Sequence, residues 1–405
     1  MKKYCTIVKD YVYNNYKKCL REASGRFLYP FIVPGAVYSN EMWDWDSWLV
    51  GKVLYDVSNE VDSYEKGCVL NYLKSIDTEG RIPVVLSHHE YPFFDLIDGV
   101  EKNIHKPCLA QHALMIVEHC GDIEWLKNDF RSLERFVDWY ILNCKHSETG
   151  LYFWINDAGI GVDNEPCVFY RPPKSTGSVY LNCFMFKELE AMSILCEKLN
   201  LKEERNKYAT FAEELKKAIQ NECWDERDGF FYGVDISLRP INNNDNLHRG
   251  APRHWKSLPI RIAGWSGFLP LWCGIATKEQ ADILVKQHLN NYQSFNSRSG
   301  IRSLSKQERM YTVKATDNPS CWLGPVWGCV NWFVFKGLIN YGYLEDAIEL
   351  AKKTIILFGQ DIESCGEMHE YYEPETGVGI TGLGFQSWNL LVFEMIKYLE
   401  ENNKD

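Results

Sequence analysis

The sequence is defined first by what it does not contain. None of its fourteen cysteines forms a C-x-x-C pair, and they are scattered from Cys5 to Cys365. That spacing excludes a disulfide framework or a Cys-type zinc site and reads as reduced, mostly buried thiols. Positive charge is in deficit, with 44 Lys and Arg against 55 Asp and Glu and a net charge of −11. A nucleic-acid partner is therefore not expected, because phosphate affinity rests on clustered cations. There is no long apolar run. The N-terminus, MKKYCTIVKDYVYNNYKK, is basic but lacks a hydrophobic segment, so it is not a signal peptide. The uncharged stretch 318–335 contains two Pro, two Gly and two Asn and would not span a bilayer. No usable N-x-S/T sequon occurs, Pro319 disqualifying the one at 318–320. These features predict a cytoplasmic protein with no membrane partner.

Cofactor and metal signatures are missing as well. There is no H-E-x-x-H, Cys/His cluster, EF-hand loop or G-x-S-x-G elbow. A formal G-x-G-x-x-G stands at 377–382, but no strand pattern precedes it and the chain ends too soon for a βαβ sheet. Nearby glutamates would also repel a pyrophosphate. No metal and no cofactor is expected.

What is present is helical periodicity and an excess of aromatic rings. Leu126, Phe130, Leu133, Phe136, Val137, Tyr140 and Ile141 form one apolar stripe, and Leu189, Met192, Leu195, Cys196 and Leu199 another. Similar runs recur at 69–76, 109–120, 208–219, 281–289, 330–339, 347–357 and 390–399, while strand-like alternation is rare. The class is all-α, with about a dozen helices in one domain spanning 1–405. Between the helices lie six long segments rich in Trp, Asp, Gly and Pro, at 31–48, 82–107, 152–176, 242–265, 315–327 and 367–388. Loops of that length in a compact domain are usually functional. They suggest a ring of helical hairpins with its loops gathered at one end. An α-solenoid would show a fixed repeat, and none is found.

Four of these loops could carry chemistry. In YSNEMWDWDSWLVGK (38–52), Trp43, Trp45 and Trp48 interleave with Asp44 and Asp46. Indoles beside carboxylates suit a sugar, the acid accepting from hydroxyls while the ring stacks on C–H faces. A helix start with an Asp N-cap and core tryptophans is the competing explanation. In LYFWINDAGIGVDNEPCVFYRP (151–172), Asp157, Asp163 and Glu165 sit between aromatic residues. A carboxyl group losing solvation there would gain the raised pKa of a general acid, although an Asx-turn would use the same residues. KATDNPSCWLGPVWGCVNWFVF (314–335) brings Trp322 and Trp327 to where a loop meets a helix. CGEMHEYYEPETGVGITGLGFQSWN (365–389) offers Glu367, Glu370, Glu373 and Glu375 beside Tyr371 and Tyr372.

The ordered set WDWDSW, GVDNEP, NPSCWLGPVW and EYYEPETGxGxxxxxFQSW resembles the catalytic module of glycoside hydrolase family 63 and its trehalase-like relatives. Lesser echoes are HKPCLAQ (105–111), CWDERDGFFYGVD (223–235), FLPLWCGIATKEQA (268–281) and GIRSLS (300–305), so the likeness runs nearly the whole chain. The length is similar to the bare module of bacterial mannosylglycerate and glucosylglycerate hydrolases. The resemblance implies an (α/α)6 barrel of six hairpins with a sugar pocket at one end, and an inverting hydrolysis of a small α-glucoside or α-mannoside. It implies Asp163 as general acid and Glu370 as general base, with Trp45 and Asp46 contacting the inner sugar; Trp43, interleaved with the same acids, is a further substrate-binding candidate. Gln111, Trp322, Trp327 and Trp388 transfer to the same pocket. Two positions depart from the family: Leu323 replaces an Arg, and Asn389 a Ser or Thr after the last Trp. Both bear on sugar or aglycone preference. A glycerate aglycone would require a cation, for which Arg171, Arg249 and Arg253 are the candidates. The expected partner is a small carbohydrate, with room left for self-association.

Two other readings compete. A sugar epimerase or isomerase on the same barrel would use paired histidines, with His369 and His248 available. A non-catalytic carbohydrate-binding protein would keep the aromatic pocket without the two carboxylates.

Overall fold

The structure, a computed structural model, describes residues 1–240, 253–314 and 320–402. Twelve α-helices occur among them: α1 (Lys2–Asn15), α2 (Asp44–Val57), α3 (Asp62–Lys74), α4 (Leu109–Cys120), α5 (Phe130–Asn143), α6 (Val179–Lys198), α7 (Lys202–Cys223), α8 (Leu269–Trp272), α9 (Lys278–Ile283), α10 (Gly328–Asn340), α11 (Leu344–Cys365) and α12 (Val392–Glu401). Strands are two or three residues long. The expected class and the expected helices are therefore present. One boundary differs: the run 281–289 is split, α9 giving way to a π-helical turn at Leu284–Leu289.

Buried and amphipathic helices alternate along the chain. α2, α6 and α10 are buried almost all round, whereas α5, α7 and α11 bury one stripe, Phe130, Leu133, Phe136, Val137 and Tyr140 in α5. A helix apolar on every side must be enclosed by others, and an amphipathic one lies against them with its polar face outward. The contacts follow this pattern. α2 packs on α4, α4 on α6, α6 on α8, α8 on α10, and both α10 and α2 on the 3₁₀ turn Ser387–Leu391. α7 covers α6, α11 covers α10, and α1 lies on α11. One continuous apolar core results. No helix among the described residues is long and apolar enough to cross a membrane.

Helix starts are fixed by side chains from neighbouring elements. The buried Glu188 of α6 accepts from the backbone N–H groups of Ala110 (2.7 Å) and Gln111 (3.1 Å), the first turn of α4. A carboxylate there satisfies orphan donors and complements the helix dipole. Ser178 caps α6 and also donates to the buried Glu165.

Several acids in this core form no ion pair with a lysine or arginine among the described residues. Burial raises Glu188 to about 8 and Glu165 to about 7, and it drives Glu65 well above its ordinary value. Burial also lowers His105 to about 4 and His112 to about 3. An acid raised on folding stabilises below its unfolded pKa and loses that contribution as pH climbs through the folded value; a depressed histidine contributes fully above its unfolded pKa. Above about pH 7.5 the histidine contribution is complete, and Lys52, lowered by burial to about 8, opposes the acids only as pH climbs past that value. The thermal midpoint should fall between pH 6.5 and 8, by at least about 2 °C. Scanning calorimetry across that window checks it, and a flat or rising midpoint would contradict the buried-acid account.

Candidate active site

The aromatic loops converge on one cavity of about 110 Å³, lined among others by Tyr38, Trp43, Trp45, Asp46, Lys106, Asp163, Glu370, Phe385 and Trp388. At roughly 10–15 Å³ per water on this measure, that is room for about eight waters or the polar edge of one pyranose. Three carboxylates from distant parts of the chain, Asp46, Asp163 and Glu370, share this space.

Asp46 comes from the first turn of α2. The WDWDSW segment is a helix start, with Trp43 and not an Asp at the N-cap, and Trp43, Trp45 and Asp46 also line the cavity. The strand Glu41–Trp43 pairs antiparallel with Val85–Ser87, and Tyr72 donates to the Met42 carbonyl at 2.7 Å. This anchoring sets Trp43 as the residue that precedes α2. Asp44 does not face the cavity. It accepts from the Trp45 backbone N–H at 2.7 Å and from the Lys106 ammonium at 2.7 and 3.0 Å. Asp46, 5 % exposed, accepts from the Ser387 hydroxyl at 2.6 Å. Burial raises its pKa to about 7, the charge of Asp44 adding to the rise while Ser387 and Lys106 oppose it.

Asp163 is half-buried on a loop clipped down on both sides. Tyr180 donates to the Ile160 carbonyl at 3.1 Å, and the Asn164 side chain accepts from the Trp322 N–H at 2.8 Å. Glu165 is turned away beneath Ser178 (2.9 and 3.1 Å), and Asp157 accepts from the Tyr170 N–H at 2.9 Å. Of the three acids in that loop, Asp163 is the one at the cavity.

Glu370 is held at the edge of a three-stranded patch. Its backbone N–H donates to Thr381 at 2.8 Å, and the next residues pair with Val326–Trp327 on one side and Gly379–Thr381 on the other. The glycine run explains itself here. A Cβ on Gly382, whose φ is +67°, would stand 2.7 Å from the Glu370 Cβ, and one on Gly379 would stand 2.2 Å from the His369 ring. The run lets backbone close over Glu370 and does not cradle a phosphate. Burial, then the charges of Asp46 and Asp163, raises Glu370 to about 8. The loop's other acids point elsewhere: Glu367 pairs with Lys18 (2.9 Å), Glu375 with Arg302, and Glu373 accepts from the Thr376 N–H (2.6 Å).

Other sequence-derived residues take different places. Trp45 (2 % exposed) and Trp388 (5 %) line the cavity with their rings 5.2 Å apart. The buried Trp388 indole N–H finds no acceptor among the described residues. Trp322 and Trp327 are stacked at 3.8 Å just behind this wall and do not line it. Gln111 is also outside it, its amide donating to the Pro107 carbonyl at 2.8 Å and to Phe184 at 3.2 Å. Arg171 pairs with Asp235 at 2.6 Å and Arg253 with Glu148 at 3.3 Å, both away from the cavity. Arg249 and His248 lie outside the described residues. His369 turns to Asp361 (3.0 Å), and no histidine lines the cavity among the described residues.

Sequence reasoning did not single out Tyr38, Phe94, Phe385 or Lys106. Burial raises the Tyr38 hydroxyl, and the charges of Glu370, Asp46 and Asp163 add to it, which places the phenol among all three acids. Phe94 carried no local signal, and Phe385 entered only as a letter of the FQSW motif. Lys106 had one, since a lysine fully enclosed in HKPCLAQ requires an acid partner, but Asp44 lies 62 positions away.

A profile of the mannosylglycerate hydrolase MGH1-like glycoside hydrolase domain matches residues 38–388. Similar sequences include a mannosylglycerate hydrolase of Thermus thermophilus, 27% identical over 173 residues, covering 41% of this chain and 32% of that protein. Mannosylglycerate hydrolase MGH1 of Selaginella moellendorffii is 33% identical over 123 residues, 30% of this chain and 22% of its own length. These alignments therefore span a third or less of the curated relatives. The crystal structure of a GH63 mannosylglycerate hydrolase from Thermus thermophilus with Tris and D-glycerate superposes with a TM-score of 0.70 and 20% identity, over 98% of this chain and all of that one, so the fold is shared. With the profile covering most of its length, the chain belongs to the family of mannosylglycerate hydrolase MGH1-like glycoside hydrolase domains.

Proposed function

We propose that the chain is an inverting α-glycosidase that hydrolyses a small α-linked glucoside or mannoside, built as one (α/α)6 barrel. The cyclic run of contacts from α2 through α4, α6, α8 and α10 back to the turn before α12 supports the barrel. The observation that carries the function is the meeting of Asp163 and Glu370 at one aromatic cavity. Hydrolysis with inversion needs two carboxyl groups roughly 6.5–9.5 Å apart, one giving a proton to the leaving oxygen and one taking a proton from water on the opposite face.

In this reading the pyranose stacks on Trp45 and Trp388, and Asp46 accepts from its hydroxyls. Trp43 completes the rim, while Trp322, Trp327 and Gln111 fix the wall from behind. Asp163 protonates the glycosidic oxygen. Glu370, deprotonated, activates the water. A carboxylate raised to about 8 is a stronger base than a solvated one, and a catalytic pKa near the working pH is where general-base catalysis is most effective.

Asp163→Asn and Glu370→Gln should each lower kcat by roughly 10²–10⁴-fold or more with little change in thermal stability or sugar binding. Release of monosaccharide from α-linked glucosides and mannosides measures this, and a near-normal rate in either variant would remove the assignment. Asp46 and Glu370 interact, so their titrations are coupled. The acid limb of kcat/KM should lie near pH 7–8 and not in the ordinary carboxylate range. Because the charge of Asp46 raises Glu370, Asp46→Asn should move that limb to lower pH. A limb left in place by Asp46→Asn would contradict the coupling.

A further inference from the structure

Outside the cavity, the end of α11 gathers three side chains of metal-binding type. Asp361 and Cys365 stand four residues apart on that helix and so share one face. The helix stops at Cys365 because Gly366 takes a left-handed φ of +79°, its N–H donating to the Ile362 carbonyl at 2.8 Å. The chain then doubles back and sets His369 against the same face. A carboxylate oxygen of Asp361, the Sγ of Cys365 and a ring nitrogen of His369 all lie within 4.8 Å of one another. Among the described residues this is the one such group of three. Its spacing, D-x3-C-x3-H, matches no familiar zinc pattern, because the turn at Gly366 is what brings the third donor back.

Neighbouring groups already aim two of the three donors. The buried Asp361 accepts at Oδ2 from the Tyr372 hydroxyl and from the His369 backbone N–H, each at 2.8 Å, and its Oδ1 lies 3.0 Å from the His369 Nδ1. The Asn389 amide donates to the His369 carbonyl at 2.7 Å. Metal sites orient their carboxylate and histidine ligands by outer hydrogen bonds of this kind. A tetrahedral Zn²⁺ binds such donors at about 2.0–2.3 Å, which puts neighbouring ligand atoms about 3.3–3.6 Å apart. The Asp361 and His369 pair is close to that separation. Cys365 is exposed, so it can close the remainder by turning about χ1, and a water can take the fourth position. Thiolate and imidazole together select zinc and its soft or borderline neighbours over Ca²⁺ or Mg²⁺.

We propose that Asp361, Cys365 and His369 form a binding site for a divalent cation of the zinc class, and that the bound ion braces the segment presenting Glu370. On binding, the Cys365 thiol releases its proton to solvent and His369 offers the lone pair of a neutral ring. The connection to Glu370 is short. His369 precedes it, Tyr372 follows two residues later, and both donate to Asp361. The ion would add a coordinate link between α11 and that segment. None of its three ligands lines the cavity, so it takes no part in bond cleavage. The site itself is independent of the hydrolytic reading; only the role of the braced Glu370 as a base rests on it.

The test uses the full-length chain, stripped with a chelator in reducing buffer and titrated with Zn²⁺ against a chromophoric competitor. A single equivalent should bind, at least about tenfold more weakly in Cys365→Ser and in His369→Gln. Cys120→Ser, which removes the other thiol that is not buried, should leave binding unchanged. Co²⁺ in place of zinc should give a near-ultraviolet thiolate charge-transfer band that Cys365→Ser abolishes. Hydrogen exchange of the backbone amides at 369–372 should slow on zinc loading in the wild type and not in Cys365→Ser. Because Cys365 is exposed, that variant keeps the test valid even if His369→Gln disturbs the fold. No stoichiometric binding, or binding that Cys365→Ser leaves intact, would overturn the site, and binding without slower exchange would overturn the brace. None of these readouts requires turnover, so their failure and a failure of the hydrolytic reading are told apart.

Discussion

Carboxylates kept out of water are the constraint around which this molecule is built. Burying an ionisable group without a cation costs several kcal/mol unless its charge is relieved or its lone pairs are satisfied. Here Asp46 and Glu370 are both almost fully enclosed, and the charge of Asp46 raises Glu370 further. The surrounding structure holds them in place at that cost. Ser387 donates to Asp46, the strand pairing around Tyr371 fixes the backbone of Glu370, and Gly382 allows the loop to close against it. Asp163 is presented by a loop pinned through Ile160, Asn164 and Glu165. Elements from α2, from the middle of the chain and from its end thereby share one small space.

The buried ion pair beside that space acts differently. Asp44 and Lys106 neutralise each other next to the acids, and the lysine still lowers Asp46 through space. Breaking such a pair leaves an uncompensated charge in the interior; the partners come from the start of α2 and from the loop just before α4. Among the described residues the cavity thus has no unpaired lysine or arginine in its lining.

Much of this was legible in the sequence. The amphipathic stripes of α5, α7 and α11 follow directly from spacing, and the long aromatic loops between helices marked where function would gather. Within those loops composition could not separate one acid from another. Asp157, Asp163 and Glu165 look alike on paper, and hydrogen bonds from Ser178 and the Tyr170 backbone are what turn two of them away. Tryptophans were overcounted for a similar reason. Trp322 and Trp327 occupy a motif shared with sugar-binding residues, yet their stack fills the layer behind the cavity wall. Lys106 was missed because its partner is remote in sequence, and Tyr38 because a phenol among three acids is a property of the folded chain alone.

The central claim is that two carboxyl groups act from opposite faces of one pyranose with a water between them. The anomeric form of the first product reports this directly. Proton NMR during the first minutes of hydrolysis of an α-linked substrate should show the β-anomer appearing first, followed by slow mutarotation. The α-anomer appearing first would mean that one of these groups attacks the sugar itself, and the arrangement described here could not be correct.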